Sequence, residues 1–570
     1  MKNIGSGLLK VDYWASTIKI MVDGVKRNYI SGNREKNTWN KILEQTPTDM
    51  KHARSQNNMR ILCATSVGSH DVARVIDSLV AMGLWLRGAD TQFLLCDHIL
   101  PACEAAMYVS FPNPRDFAAH GPAKSLCKRC FKKGFEFYRP LPVNVRTYSE
   151  FITPDIISTS METAAGLSTQ ECFEFVYRDM PIGEQARAGV LRFFGKATFE
   201  EEDQAFVEAV ARRYLSGALI TARAAERALD EIKPDCIVAH HGIYVPQGIL
   251  GIVARKKNVR VINWGPSYRN TTLIYSHGDT YHHTFIDEPV SCWENRELSP
   301  EENRNLDNYL NTRRAGKGDW SWVTPDRGEN AIIEEHARLI NGLGLDTQKP
   351  IFGLLTNVLW DAQLYYASNA FPDMIDWLFT TLDYFIAHSE LQLIVRIHPH
   401  EVKSGNRQPT GPVIAKRYPS IPKNIKIVDR DSPYSTYALM DLCRAVLIYG
   451  TKTGIELAPF GMPVIVAGDA WMRNKGISYD ATSREEYLSF LDRLPDIRPL
   501  SPQATERARR YAYHYFFRRM IPLSSLDPAG SFPPVLLVKS LEDLLPGHDR
   551  GLDVICDGIL NRKQFIYDHV

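Results

Sequence analysis

The sequence predicts an α/β protein: two Rossmann-like domains facing each other across a cleft, preceded by an N-terminal extension. Three observations carry this. Short, nearly uninterrupted apolar runs recur in both halves, as strands buried on both faces of a parallel sheet require. Each run passes through a polar or glycine-containing turn into helically spaced apolar positions, the strand–turn–helix–strand rhythm of parallel α/β units. A polar, glycine-containing linker, Gly342 to Pro350, separates the two sets. The expected divisions are an extension over 1–57, a first domain over 58–345, a second over 346–500, and a crossing helix with a tail over 501–570.

In chain order, residues 1–57 are polar and weakly patterned, with room for one small hairpin. The runs Met59–Thr65 and Thr91–Cys96 read as strands, with a helix through Val72, Val75, Ile76, Leu79 and Val80 between them. Asp235–His240, a helix over Val245–Lys256 and Val259–Asn263 repeat the pattern. In the second half, Ile351–Thr356, Leu391–Arg396, Ile425–Val428, Ala445–Tyr449 and Pro463–Ala467 are strands, and Phe371–Ala387 is an amphipathic helix.

Composition narrows the class. The chain has 570 residues, enough for about three domains or two large ones with extensions. A formal net charge of +1 supplies no global field toward nucleic acid or membrane, so no nucleic-acid partner is expected. No secretory leader and no bilayer-spanning apolar run are read. Ten cysteines without a leader read as reduced thiols of a cytoplasmic protein.

The strongest constellation lies in the second half. The strand ending at Arg396 leads into Ile397, His398, Pro399 and His400. A buried parallel strand delivers the residues after it to the carboxyl edge of the sheet, where ligands bind. Pro399 disfavours helical geometry at His398. His398 is thus a candidate donor to a phosphate oxygen, or the acid that protonates a leaving phosphate. The alternative is a strand-end histidine satisfied by a backbone carbonyl. Downstream, Tyr449 leads into a turn of Gly450, Thr451 and Thr453 that opens a helix carrying Glu456; Gly461 ends that helix and Pro463 opens the next strand. Hydroxyls and free amides at a helix start suit an anion. Glu456 is read as a ribose ligand or as a favourable charge near the helix dipole.

These residues, with Gly353-Leu-Leu-Thr-Asn-Val-Leu-Trp-Asp361, resemble GT-B glycosyltransferases. More narrowly, they resemble capsule polysaccharide biosynthesis proteins and the bacterial Kdo- and sialyltransferases related to them. The resemblance covers about residues 350–470 well and the first half in general shape. It implies that His398, Thr451 and Thr453 hold a nucleotide phosphate, that Glu456 holds ribose, and that Arg396, Pro399, Gly450 and Asn357 belong to the same donor site. The double-acidic motif that supplies the general base in the sialyltransferases has no clear copy here.

The first half carries a second cluster. His240, His241, Tyr244 and Pro246 follow a strand and open a helix. Tyr268, Arg269, His277, His282 and His283 come after them, so five of the sixteen histidines lie between 240 and 283. Histidines interleaved with aromatics suit a sugar site, here the acceptor's; the alternative is a polar domain interface. Asp71, on the first strand-to-helix turn, is a candidate base beside His241, or a helix cap. Cys127 and Cys130, with Cys96 and Cys103, have the residue types of a zinc site but the wrong spacing for a standard ribbon. The basic, aromatic stretch Arg507–Arg519 reads as a helix crossing back to the first domain, or as a surface for anionic lipid.

Together these point to a metal-independent glycosyltransferase needing no cofactor beyond its nucleotide-sugar donor. The donor is CMP-linked in the narrower form of this reading, and the acceptor is a surface polysaccharide or glycolipid. Peripheral contact with the inner membrane or with other capsule-assembly proteins fits the same reading. A sugar-nucleotide 2-epimerase and a non-catalytic capsule-assembly subunit are the rival classes.

Overall fold

The structure, a computed structural model, describes residues 38–47, 57–314, 336–362, 364, 366–402, 405–530 and 533–568. The hairpin expected within 1–57 lies outside them. Of that extension, the helix Thr38–Gln45 is described; it buries Trp39 and Ile42, and Trp39 Nε1 donates to Ser78 Oγ at 3.0 Å.

The first sheet takes its strands in the order β13-β6-β5-β4-β1-β2-β3, where β1 is Arg60–Ser66, β2 Asp90–Leu95, β3 Asn144–Thr147, β4 Cys236–His240, β5 Arg260–Pro266, β6 Thr272–His277 and β13 Ile521–Pro522. Strands β1 to β5 are parallel, and β6 and β13 close one edge in antiparallel register. The second sheet runs β12-β11-β10-β7-β8-β9, all parallel, with β7 Ile351–Leu355, β8 Gln392–Arg396, β9 Ile425–Val428, β10 Val446–Ile448, β11 Val464–Val466 and β12 Tyr479–Asp480. Counted within its own half, each sheet has the 3-2-1-4-5 order of a doubly wound dinucleotide fold. Two Rossmann-like domains are therefore present. Strands β4, β7, β8, β10 and β11 are buried at every position, as their apolar runs require.

Helices cover the sheets. In chain order, α1 is Asp71–Leu86, α2 Lys124–Tyr138, α3 Ile182–Phe194, α4 Gln204–Ile232, α5 Gln247–Lys256, α6 Tyr281–Ile286, α7 Met374–Ala387, α8 Thr453–Leu457, α9 Pro502–Tyr513 and α10 Arg550–Asn561. Separate apolar cores fill the two faces of the first sheet, and another lies beneath α7 on the second. A further core runs from the second sheet through Trp471, Tyr511 and Phe516 into Phe285 and Tyr281 of the first domain, so the two halves share buried apolar contact.

The C-terminal segment returns to the first sheet. Helix α9 continues as a π-helical turn over His514–Arg519, enters β13, and pairs with β6. Helix α10 then packs on α1, where a Cβ on Gly83 would sit 3.1 Å from the Leu552 side chain. Among the described residues no helix is long and apolar enough to cross a membrane.

Candidate functional site

In a doubly wound sheet the strand order reverses beside the first strand, and a crevice opens at the carboxyl ends there. The reversals fall between β1 and β4 in the first sheet and between β7 and β10 in the second. Loops from these edges line one cleft of about 290 Å³. The first domain contributes His241, Tyr268, Tyr281 and His282; the second contributes Asn357, Asp361, His398, Gly450, Asp469 and Trp471. A larger groove of about 430 Å³, at Lys196, Phe379 and Arg407, shares no residue with this cleft.

His398 reaches the cleft from the end of β8. Its backbone N–H donates to Thr356 Oγ1 at 3.0 Å, and the backbone N–H of His400 donates to its Nδ1 at 3.1 Å. An imidazole nitrogen that accepts carries no proton, so the proton sits on Nε2. Removal from water, with His400 and Arg396 nearby, lowers the pKa of His398 to about 4. At neutral pH it is a neutral N–H donor. Such a ring has an N–H to give to a phosphate oxygen; the role of protonating a leaving phosphate does not match a resting ring that holds one proton.

Gly450 turns the chain beside it. A Cβ there would lie 2.9 Å from Asp469 Oδ1, so glycine lets the turn and that carboxyl share the wall. Thr451 and Thr453 stand behind, their hydroxyls 3.2 Å apart. Asn357 lines the cleft with its buried Oδ1 unpartnered.

On the facing side His241 holds a left-handed backbone, φ 63°, which is uncommon for a residue other than glycine. Its N–H donates to the Trp264 carbonyl at 2.7 Å, and its buried Nδ1 lacks a partner. Burial, with Arg192 and His70 adding, lowers its pKa to about 3. His282, 5.6 Å from it ring to ring, has an unpartnered Nε2 and a pKa lowered to about 3, again chiefly by burial. Three neutral imidazoles thus face one space.

Other expected site residues are committed elsewhere. Arg396 is 1% exposed and donates to the Asp429 and Ser432 carbonyls and to Thr436 Oγ1, so it braces the loop after β9 instead of meeting a ligand. Pro399 opens a one-turn 3₁₀ helix and does not line the cleft. Glu456 is 2% exposed; its Oε1 accepts from Arg313 Nε at 3.2 Å and from Lys452, and its Oε2 accepts from Tyr437 at 2.6 Å. Burial opposes its charge, but Lys452 and Arg313 hold its carboxyl below the usual range. Both oxygens are taken, so Glu456 ties the turn to neighbouring elements and is not open to ribose.

In the first domain, the Tyr244 hydroxyl donates to Asp361 Oδ1 at 3.1 Å and accepts from the Ala362 N–H at 3.0 Å, bolting the two domains together. Arg269 lies over the Phe517 ring at 4.3 Å and donates to the Phe516 carbonyl, anchoring the crossing segment. His240 is buried between His70 and Trp264 and does not reach the cleft. Asp71 pairs with Arg74 at 2.9 Å and Lys133 at 3.4 Å outside the cleft; the cap of α1 is His70, whose Nδ1 accepts from Ala73 N. Tyr268 does line the cleft, with Lys452 Nζ 4.6 Å above its ring.

Cys96, Cys103, Cys127 and Cys130 converge on one small apolar cavity of about 30 Å³. Among the described residues no group of three or more His, Cys, Asp or Glu is arranged to hold a metal ion. Asp469 and Trp471 are absent from the sequence-based site, although both follow β11 at the edge that presents His398 and Gly450.

The cleft's second-domain wall, from Asn357 to Trp471, falls within a family match. Residues 329–499 match the model of the capsule polysaccharide biosynthesis protein family. The matched segment carries β7 to β12 with His398, Gly450 and Asp469, and the resemblance read from 350–470 falls inside it. No curated protein matches the chain. Among solved structures, the chain is similar to the beta Kdo 2,4 transferase of KpsC from Thermosulfurimonas dismutans, with 11% identity, 55% of this chain and 87% of that one covered, and a TM-score of 0.33. The beta Kdo 2,7 transferase of the same KpsC gives 14% identity, 60% and 90% coverage, and 0.27. UDP-GlcNAc 2-epimerase from Neisseria meningitidis, bound to UDP-GlcNAc, gives 9%, 80% and 96%, and 0.23.

Proposed function

We propose that the chain transfers a sugar from a nucleotide donor to a surface polysaccharide or glycolipid, with a CMP-linked acidic sugar as the narrower form of the donor. The observation that carries this is His398: a neutral imidazole fixed by the His400 amide, with Nε2–H as its free donor, at the carboxyl edge of a doubly wound sheet. A donor already oriented stabilises charge developing on a leaving phosphate without reorganising. The Gly450 turn offers backbone beside it. These groups belong to the chain itself, so the reading assigns no step to a metal. His241 and Tyr268 face them from the other domain, where an acceptor enters. Bringing both partners into one cleft supplies the proximity that a two-substrate reaction needs.

A melting-temperature screen of CMP, UDP, GDP and their sugars tests the reading. A nucleotide at a hundred times its Kd stabilises the native state by about 2.7 kcal/mol. One base family should raise the Tm, and a labelled donor should then yield a glycoside only when acceptor is present. Epimer formed without acceptor, or no nucleotide that shifts the Tm, overturns the assignment.

A further inference from the structure

A second chamber of about 290 Å³ adjoins the cleft across Tyr449 and Asp469, which line both. Its remaining polar wall comes from both domains. Arg187, on α3 of the first domain, faces it with no hydrogen bond or ion pair among the described residues. Tyr366 is 6% exposed, and its buried hydroxyl has no partner. Asn369 donates to the Tyr449 hydroxyl at 3.3 Å and leaves its buried Oδ1 unpartnered. Buried polar groups without partners destabilise a fold. Here a cation, a hydroxyl and an amide oxygen converge on one space, the groups that would recognise a sugar bearing an anionic substituent.

We propose that this chamber is the acceptor subsite, taking a terminal sugar whose carboxylate or phosphate meets Arg187 and delivering its hydroxyl to Asp469. The inference rests on the transferase reading above. In the step, the acceptor hydroxyl gives its proton to the Asp469 carboxylate. Its oxygen bonds to the donor's anomeric carbon while the bond from that carbon to the phosphate oxygen breaks. The electron pair leaves with the nucleotide, toward His398.

Asp469 suits this task and the other carboxyls do not. Asp361 already accepts from Tyr244, and Asp71 is ion-paired outside the cleft. Burial raises the pKa of Asp469 to about 6 against the lowering influence of its own backbone N–H, His283 and Arg473. It is therefore ionised yet basic near neutral pH. Arg187, Tyr366 and Tyr449 line the chamber with it and His283 and Arg473 act on it from beside, while His241, His282 and His398 titrate at about 3, 3 and 4.

Two measurements on the full-length protein test this. Saturation-transfer NMR with methyl β-D-glucuronide, glucose 6-phosphate and methyl β-D-glucoside should show one anionic probe bound roughly tenfold more tightly than the neutral one; which one separates carboxylate from phosphate. Arg187→Gln should abolish that preference and keep the nucleotide-induced Tm shift. Equal binding of the neutral glucoside, or an anion preference that survives Arg187→Gln, overturns the subsite. Asp469→Asn should keep the nucleotide shift, lose about a hundredfold in transfer rate, and lose the acidic limb near pH 6 from its pH–rate profile. A limb that persists in Asp469→Asn assigns the proton to another group and overturns the role of Asp469. A wild-type chain that no nucleotide stabilises contradicts the transferase reading instead, and the sugar probes still report on the chamber.

Discussion

His398 enters the cleft as a neutral donor because the His400 amide occupies its Nδ1 and removal from water holds its charge off. His398→Ala should cost transfer about a hundred- to thousandfold with the fold intact, the usual loss when one preorganised donor is removed; steady-state rates with a circular-dichroism control check it. Glu456 behaves oppositely. Glu456→Gln leaves buried cations beside a neutral amide, so it should destabilise the fold by roughly 3 kcal/mol. Scanning calorimetry should register a drop of several degrees; an unchanged Tm with weakened nucleotide binding would restore the ribose role. His282 gives a pH prediction. Its folded pKa, about 3, lies below the unfolded 6.5. Between those values the unfolded chain takes up a proton that the folded chain refuses, so the stability present above pH 6.5 is lost as pH falls. Compared with His282→Gln, the wild type should weaken by about 1–2 kcal/mol on going from pH 7 to pH 5, measured as the difference in denaturation free energy. At this scale the sequence is legible where one rule suffices, since strand ends at a parallel edge point to His398 and Gly450. It misleads at Glu456, because Arg313 reaches it from 143 residues away and no local pattern announces that pairing.

The elements that position the site are legible for a physical reason. Strands β7, β8, β10 and β11 are buried at every position, so each is an apolar run between turns. Strands β3, β6 and β13 carry no such signal. They lie at or near sheet edges, and β13 pairs with a strand almost 250 residues earlier. The cis-proline turn after β4 reads from sequence as a cleft edge, yet its Tyr244 bridges the domains. Asp469 sits three residues past β11, and the strand-end rule that finds His398 after β8 and Gly450 after β10 applies to it equally. Tyr244→Phe removes the hydroxyl that meets both Asp361 and the Ala362 amide. It should let the domains open, raising the radius of gyration in small-angle scattering of the nucleotide-free protein and slowing transfer, while nucleotide affinity holds within about twofold. An unchanged radius and rate would show that the shared apolar core and the Arg407–Gly195 backbone contact hold the domains without it.

For the whole molecule, two doubly wound sheets oppose their switch points, and α9 returns the chain to the first sheet. A fragment starting near Lys349 keeps the His398 and Gly450 edge but carries β13 and α10 without the β6 edge and α1 on which they pack. It should bind nucleotide, transfer nothing, and scatter light as aggregates at concentrations where the full chain stays clear. The central claim is that the second domain, through His398, grips the donor nucleotide, and that His241 of the first domain does not. Calorimetric titration tests it most directly, using the nucleotide that best stabilises the full-length protein against wild type, His398→Ala and His241→Ala. The account predicts an affinity at least tenfold weaker in His398→Ala and within twofold of wild type in His241→Ala. Full affinity in His398→Ala with loss in His241→Ala would contradict it and place the donor against the first domain.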